Sequence, residues 1–398
     1  MILDLDNLKF LFQGRAADSG GRYELLPYQL GLLTLDRPQP VKSEEQTTAA
    51  PSELPALKDV YKDYFLIGGA YNRNLVTGRD PRAAEITIKH YSAATSENDM
   101  KWQSVHPQPG RFNWGPADSF MEFCEKNNMV PIGHTLVWHG QTPGWVYQDE
   151  AGNPLTRDAL LARMEEHITA VVGRYKGRIK GWDVVNEALN DDGTMRNSQW
   201  LRIIGEGKPE QRFDHIAKAF EFAHAADPDV ELYYNDYSLS SSRRKADGAA
   251  AIVKHLQSKG IRIDGVGMQV HAGLTWPSVA DLEYAIKTLS ATGVKVMVTE
   301  LDIRMQDRGT RGADITQIDR QSTADPEAEA ARAQQRLADK YAEIFSVLVQ
   351  YKEHIPRVTF WGVYDTTSWI GGSPLLFDRN YQPKQAFHAV VNVVKEQK

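Results

Sequence analysis

The sequence predicts an α/β protein built as a (β/α)8 TIM barrel. Three observations carry that expectation. From about Leu57 onward, short β-rich runs alternate with longer helical patterns; eight such runs fit into roughly 340 residues; and nearly every run ends in polar side chains. In order, the runs are Phe65–Ala70, Tyr91–Ser96, Val130–Thr135, Ile179–Asn186, Glu231–Asn235, Gly265–Gln269, Lys295–Glu300 and Arg357–Trp361, with helical segments such as Asp158–Tyr175 and Asp214–Ala226 between them. A doubly wound sheet shows the same alternation, so the pattern alone leaves both architectures open. The placement of the polar residues decides between them.

Those residues are Ser96-Glu97-Asn98, His134, Asn186-Glu187, Asn235-Asp236, Gln269-Val270-His271, Glu300-Leu301-Asp302 and Trp361. In a barrel all strand ends of one polarity converge on a single face, which collects these side chains from distant parts of the chain. Carboxylates, amides, imidazoles and indoles gathered in one cleft suit a polar ligand with flat apolar faces, and a sugar is such a ligand.

Composition narrows the classes further. With 398 residues, 41% of them hydrophobic, the chain can bury a large core. A balance of 46 basic against 52 acidic residues leaves a net charge of -6, which favours neither nucleic acid nor an anionic membrane as partner. Cys124, the only cysteine, lies in the helical pattern Phe120-Met121-Glu122-Phe123-Cys124 and is expected to be an inert core thiol. It excludes an intrachain disulfide but leaves the compartment open. Met1–Asp6 shows no basic segment leading into an apolar run, so no export signal is read, and no stretch reaches transmembrane length. There is no Gly-x-Gly-x-x-Gly and no His-Glu-x-x-His, and Gly205-Glu206-Gly207-Lys208 runs into Pro209 instead of forming a P-loop. Asp191-Asp192-Gly193 lacks the alternating ligands of a calcium loop and is read as a polar turn. No metal and no cofactor are expected.

Residues 1–57 are predicted to be an N-terminal arm followed by a Pro/Glu/Thr-rich linker, and residues 58–398 the barrel. Tyr23–Leu35 is apolar enough to pack but too short for a domain, and Asp36–Leu57 contains Pro38, Pro40, Pro51 and Pro55 among few large apolar residues. Every candidate site residue lies after this region, so it is expected to be dispensable for chemistry. Arg304–Glu329 follows the seventh run and should lie at the rim of the polar face.

Two glutamates end strongly apolar runs: Glu187 in Gly181-Trp-Asp-Val-Val-Asn-Glu187 and Glu300 in Val296-Met-Val-Thr-Glu300. A carboxylate there is costly unless paired or used. Structural ion pairs would explain either one alone. Together, on the fourth and seventh runs, they suit glycosidic cleavage, in which one carboxyl protonates the leaving oxygen and a second attacks or stabilises the anomeric carbon.

At these residues the chain resembles the family 10 xylanases over about 57–398. The shared motifs are Ser96-Glu-Asn-Asp-Met-Lys-Trp102, Gly133-His-Thr-Leu-Val-Trp-His139, Trp182-Asp-Val-Val-Asn-Glu187, Tyr233-Tyr-Asn-Asp-Tyr237, Gly267-Met-Gln-Val-His271, Val298-Thr-Glu-Leu-Asp302, Phe360-Trp-Gly362 and Ser368-Trp369. The resemblance implies a retaining endo-β-1,4-xylanase with Glu187 as acid/base and Glu300 as nucleophile, their carboxyls roughly 5 to 5.5 Å apart. It further implies that Asn186 binds the 2-hydroxyl of the -1 sugar and that His271 orients Glu300. Glu97, Asn98, Lys101, His134 and Gln269 would contact hydroxyls of the -1 and -2 sugars, and Tyr234 and Asn235 would lie near the +1 side. Trp138, Trp361 and Trp369 would form walls, the last two crowding a hydroxymethyl group that glucose has and xylose lacks. The implied partners are xylan and xylo-oligosaccharides, the implied state is a monomer, and the implied location is extracellular or periplasmic, with the cytoplasm as the alternative. A β-1,4-glucanase or mannanase of the same plan, and a sugar-binding protein without activity, are the competing readings.

Overall fold

A computed structural model describes residues 54–305 and 326–395. The predicted arm, nearly all of the linker and all but the ends of the segment Arg304–Glu329 lie outside them. Nine strands are present among the described residues: β1 Leu66–Tyr71, β2 Ala93–Ser96, β3 Val130–Trp138, β4 Gly181–Asn186, β5 Glu231–Asp236, β6 Gly265–Met268, β7 His271–Gly273, β8 Lys295–Arg304 and β9 Arg357–Phe360. All pairings are parallel. The order runs from β6 through β5, β4, β3, β2, β1 and β9 to β8, and β6 pairs with β8 to close the ring. The barrel is therefore eight-stranded, as expected, with helices in the crossovers.

The ninth strand comes from a break in the sixth predicted run. Val270 has a φ of 57°, which bends the chain out of extended conformation, and the short β7 that follows pairs His271–Gly273 with Asp302–Arg304 at the far end of β8. That detour carries His271 to the side of Glu300. Register shifts also interrupt β3 between His134 and Val137, the β4–β5 pairing between Asp183 and Val185, and the β8–β9 pairing between Val298 and Leu301. Bulges of this kind re-aim side chains at strand ends. Here they precede Trp138 and Glu187 and span Glu300.

Several helices start where the sequence supplies a cap. Thr156 accepts from the Ala159 amide at the head of the helix Arg157–Arg174, and Ser242 accepts from the Lys245 amide at the head of Arg243–Ser258. Inward-facing residues of the helices and strands form one continuous apolar core, in which Trp182, Trp200, Phe120 and Phe345 are buried. Leu54 and Leu57 belong to that core, so barrel packing begins before residue 58, within the stretch read from sequence as linker. Two glycines make room for large neighbours inside the barrel: a Cβ at Gly133 would lie 2.1 Å from the Trp182 ring, and one at Gly267 would lie 2.3 Å from Asn235 Oδ1. Cys124 is fully buried, and burial raises its thiol pKa, so it is unreactive. Among the described residues no helix is long and apolar enough to cross a membrane, and no cluster of three or more His, Cys, Asp or Glu side chains is arranged to hold a metal ion. Asp192 accepts from the Thr194 amide and hydroxyl, so the Asp191-Asp192-Gly193 segment is a self-bonded turn.

Candidate active site

The carboxyl ends of the strands open into a cleft of about 460 Å³. It is lined by Glu97, Asn98, Lys101, His134, Trp138, Asn186, Glu187, Gln269, His271, Glu300, Trp361 and Trp369, twelve of the fourteen side chains given a catalytic or sugar-binding role from sequence. The other two are Asn235, fully buried and bonded to Asn186 and Glu300 instead of lining the cleft, and Tyr234. Its ring is fully buried and its hydroxyl donates to Asp236 Oδ2 at 2.5 Å and accepts from the Ala188 amide at 3.1 Å, so it offers no surface to a sugar.

Glu300, 5% exposed on β8, is held on both oxygens. Asn235 donates its amide to Oε1 at 2.9 Å, and His271 Nε2 lies 3.2 Å from Oε2. Burial on its own would raise the carboxyl's pKa. The hydrogen bond from His271 and the charge interactions with His134, His271 and Lys101 outweigh it and hold Glu300 below the usual carboxylate range. Asn235 is itself fixed by the Thr299 hydroxyl, which donates to its Oδ1 at 2.7 Å.

His271 sits between two carboxylates, with Nδ1 3.0 Å from Asp302 Oδ1 on the side opposite Glu300. Burial opposes its charge, but the paired carboxylates prevail and push the imidazole up to about 10. It is therefore an imidazolium at neutral pH, with both ring nitrogens donating. A raised pKa contributes stability that is full below the ordinary histidine value of about 6.5 and is lost as pH rises through the shifted value. The melting-temperature gap between the wild type and His271→Asn is accordingly expected to be widest near the acid end of a scan from about pH 5.5 to 10 and to narrow towards alkaline pH. A gap of constant size across that scan would refute a charged His271.

Glu187 follows β4 with a φ of 57°, a left-handed conformation that costs a non-glycine residue about 1 kcal/mol or more. Its donors are neutral: Trp138 Nε1 reaches Oε2 at 2.9 Å and Gln269 Nε2 reaches Oε1 at 3.0 Å. Asn186 beside it accepts on its oxygen from Asn235 at 2.9 Å, so the group it has left for a ligand hydroxyl is the amide N–H. Two differently supported carboxyls thus face one cleft, an anion held by an imidazolium and a second group held by an indole and an amide.

On the other flank, Lys101 is buried and donates to Asn98 Oδ1 at 3.1 Å, while Asn98 donates to Glu97 Oε1 at 3.2 Å. Burial lowers the Lys101 pKa, against the pull of Glu300, Glu97 and Glu187, and burial raises that of Glu97. His134 Nδ1 is 2.9 Å from Asp183 Oδ2, and Trp361 packs edge-on against the His134 ring. Trp369 is 58% exposed, yet its Nε1 donates to Asp302 Oδ2 at 2.9 Å and its ring stands edge-on to His271. The cleft also takes in Tyr237, Ser238, Trp276 and Arg304, which were given no site role from sequence. Tyr237 ends the β5 motif and Arg304 follows the β8 motif, closely enough for both to have been found. Trp276 lies in a loop past β7, away from any predicted strand end.

Behind Glu187, Asp236 is fully buried and ion-paired with the equally buried Lys245, Oδ1 to Nζ at 2.9 Å. Burial pushes Asp236 up to about 6, against the opposing effects of Lys245 and the Tyr234 hydroxyl.

Comparison with known proteins agrees with this geometry. A profile described as glycosyl hydrolase family 10 matches residues 56–393. The chain is 40% identical over 358 residues to endo-1,4-beta-xylanase A of Xylanibacter ruminicola, covering 87% of this chain and 95% of that one. It is 42% identical over 349 residues to a beta-1,4-xylanase of Dictyoglomus thermophilum, covering 85% and 91% of the two chains. Among solved structures, an alanine-for-glutamate variant of an intracellular xylanase from Thermoanaerobacterium saccharolyticum, in complex with xylotetraose, matches with a TM-score of 0.75 at 37% identity, over 85% of this chain and 98% of that one. Barrel, cleft and relatives agree: the chain belongs to glycosyl hydrolase family 10.

Proposed function

We propose that the protein is an endo-1,4-β-xylanase that cuts internal β-1,4-xylosidic bonds of xylan and xylo-oligosaccharides with retention of configuration, through a covalent glycosyl-enzyme. The observation that carries this reading is the unequal support of the two carboxyls. Glu300, kept anionic by the His271 imidazolium and the Asn235 amide, is equipped to attack C1. Glu187, with neutral donors only, is equipped to carry a proton to the glycosidic oxygen. Attack forms the C1–Oε ester bond as the C1–O bond to the leaving sugar breaks and that oxygen takes the Glu187 proton. Esterification removes the Glu300 charge. Glu187, now anionic, takes a proton from a water that attacks C1, and the ester opens with the pair restored.

The Asn186 amide N–H serves the 2-hydroxyl at the -1 subsite, where its bond strengthens as positive charge develops at C1. Glu97, Asn98, Lys101, His134 and Gln269 bind further hydroxyls of the -1 and -2 sugars, and Trp361 and Trp369 crowd the position of a hydroxymethyl group. Of the extracellular, periplasmic and cytoplasmic locations open to the sequence, the cytoplasm is the one supported by a relative described as intracellular.

Proton NMR during early hydrolysis of xylohexaose tests the mechanism and the cleavage mode together. The β-anomer is expected first, with medium-length products ahead of xylose. Initial α-anomer would eliminate retention, and xylose as sole early product would eliminate internal cleavage.

A further inference from the structure

Glu187 stands in a left-handed backbone conformation, and most of what holds it there lies outside the cleft. Its amide donates to the Asn235 carbonyl at 2.8 Å, and its own carbonyl accepts from Arg196 Nε at 2.9 Å. The next two amides are captured by buried side chains: Ala188 donates to the Tyr234 hydroxyl at 3.1 Å and Leu189 to Asp236 Oδ2 at 3.3 Å. Tyr234 in turn donates to the same Asp236 oxygen, at 2.5 Å. The other oxygen, Oδ1, takes the Tyr237 amide at 2.9 Å and pairs with Lys245 Nζ at 2.9 Å. The Lys245 ammonium lies 3.2 Å from the Tyr237 ring centroid, and the Tyr237 hydroxyl accepts from Arg196 Nη2 at 2.6 Å, which closes the circuit back to Glu187.

A fully buried Lys–Asp pair is a poor means of gaining stability, since desolvation of two charges offsets most of their attraction. What this one supplies is direction. Both Asp236 oxygens are saturated with donors, and two of its four contacts bear on the turn that follows Glu187, one directly and one through Tyr234.

We propose that Asp236 and Tyr234, anchored by Lys245, are positioning residues for Glu187: they fix the Glu187–Leu189 turn and so aim the acid/base carboxyl at the glycosidic oxygen. The inference rests on Glu187 being the acid/base, and the experiment separates the two claims. A positioning defect costs proton delivery and nothing else in glycosylation, so its size depends on how much protonation the leaving group needs.

The test compares kcat/KM for a 2,4-dinitrophenyl β-xylobioside, whose leaving group needs no proton, with that for the phenyl β-xylobioside, whose leaving group does. It uses the full chain carrying Tyr234→Phe, Asp236→Asn or Glu187→Ala. Tyr234→Phe removes a single hydroxyl from a buried ring, so it remains informative where Asp236→Asn fails to fold. Tyr234→Phe is expected to lower kcat/KM about tenfold or more on the phenyl substrate and less than about twofold on the dinitrophenyl one. Equal losses on both substrates, or no loss on either, would overturn the proposal and leave the network a structural support. If Glu187→Ala itself shows no leaving-group dependence, the acid/base assignment falls, and with it the inference; if it shows the dependence and Tyr234→Phe does not, the inference alone falls.

Discussion

Glu300→Ala is expected to lower xylan hydrolysis at least about 10⁴-fold while xylotetraose still binds, with a Kd within about tenfold of wild type. The carboxylate proposed as nucleophile is lost, but the Asn186, Lys101 and His134 side chains and the indole walls are not. The substitution also leaves the Asn235 amide and His271 Nε2 without their carboxylate, so His271 retains Asp302 as its only acidic partner. Its proton affinity should fall, which an NMR titration of the imidazole would read independently of catalysis. Calorimetry with xylotetraose checks the binding. Loss of binding together with activity would mean that the variant is misfolded and that the nucleophile assignment has not been reached.

Glu187→Ala is expected to behave differently. Natural xylan, whose leaving group needs a proton, should lose about 10²- to 10⁴-fold in rate, the usual worth of general acid catalysis. An activated aryl xylobioside should still form the glycosyl-enzyme, which then accumulates because no base activates water. Azide fits the space left by the missing carboxylate, between the Trp138 and Gln269 donors, and needs no deprotonation. It should restore turnover and release the β-xylobiosyl azide. Indifference to azide would show that Glu187 is not the acid/base.

Much of this was readable from the chain because apolar, β-branched runs such as Val296–Val298 ending in a carboxylate declare both a buried parallel strand and a costly charge at its tip. The eight runs and twelve cleft side chains follow from that logic joined to the resemblance. The break at Val270 was not readable, since the left-handed residue that starts β7 is imposed by pairing with β8 and no glycine announces it. Tyr234 was misplaced for a related reason. Tyr233 and Tyr234 occupy alternate sides of β5, and the register shift opposite Asp183 and Val185 decides which neighbours each one meets, a matter of pairing geometry and not of local sequence. Leu54 and Leu57 look like linker because their neighbours are prolines and small polar residues, yet the apolar surface that receives them is built by distant parts of the barrel.

Asp302 places one wall of the cleft and Glu300 on the same fulcrum. One of its oxygens holds the His271 ring and the other the indole N–H of Trp369, a side chain mostly open to solvent on a loop that ends in Gly371 and Gly372. Any outward swing of that indole must strip a buried carboxylate of a donor, and the same carboxylate steadies the imidazolium behind Glu300. Loss of that donor is therefore felt at the support of Glu300, so a substitution in the 365–373 loop that loosens the indole reaches this carboxylate without touching either glutamate.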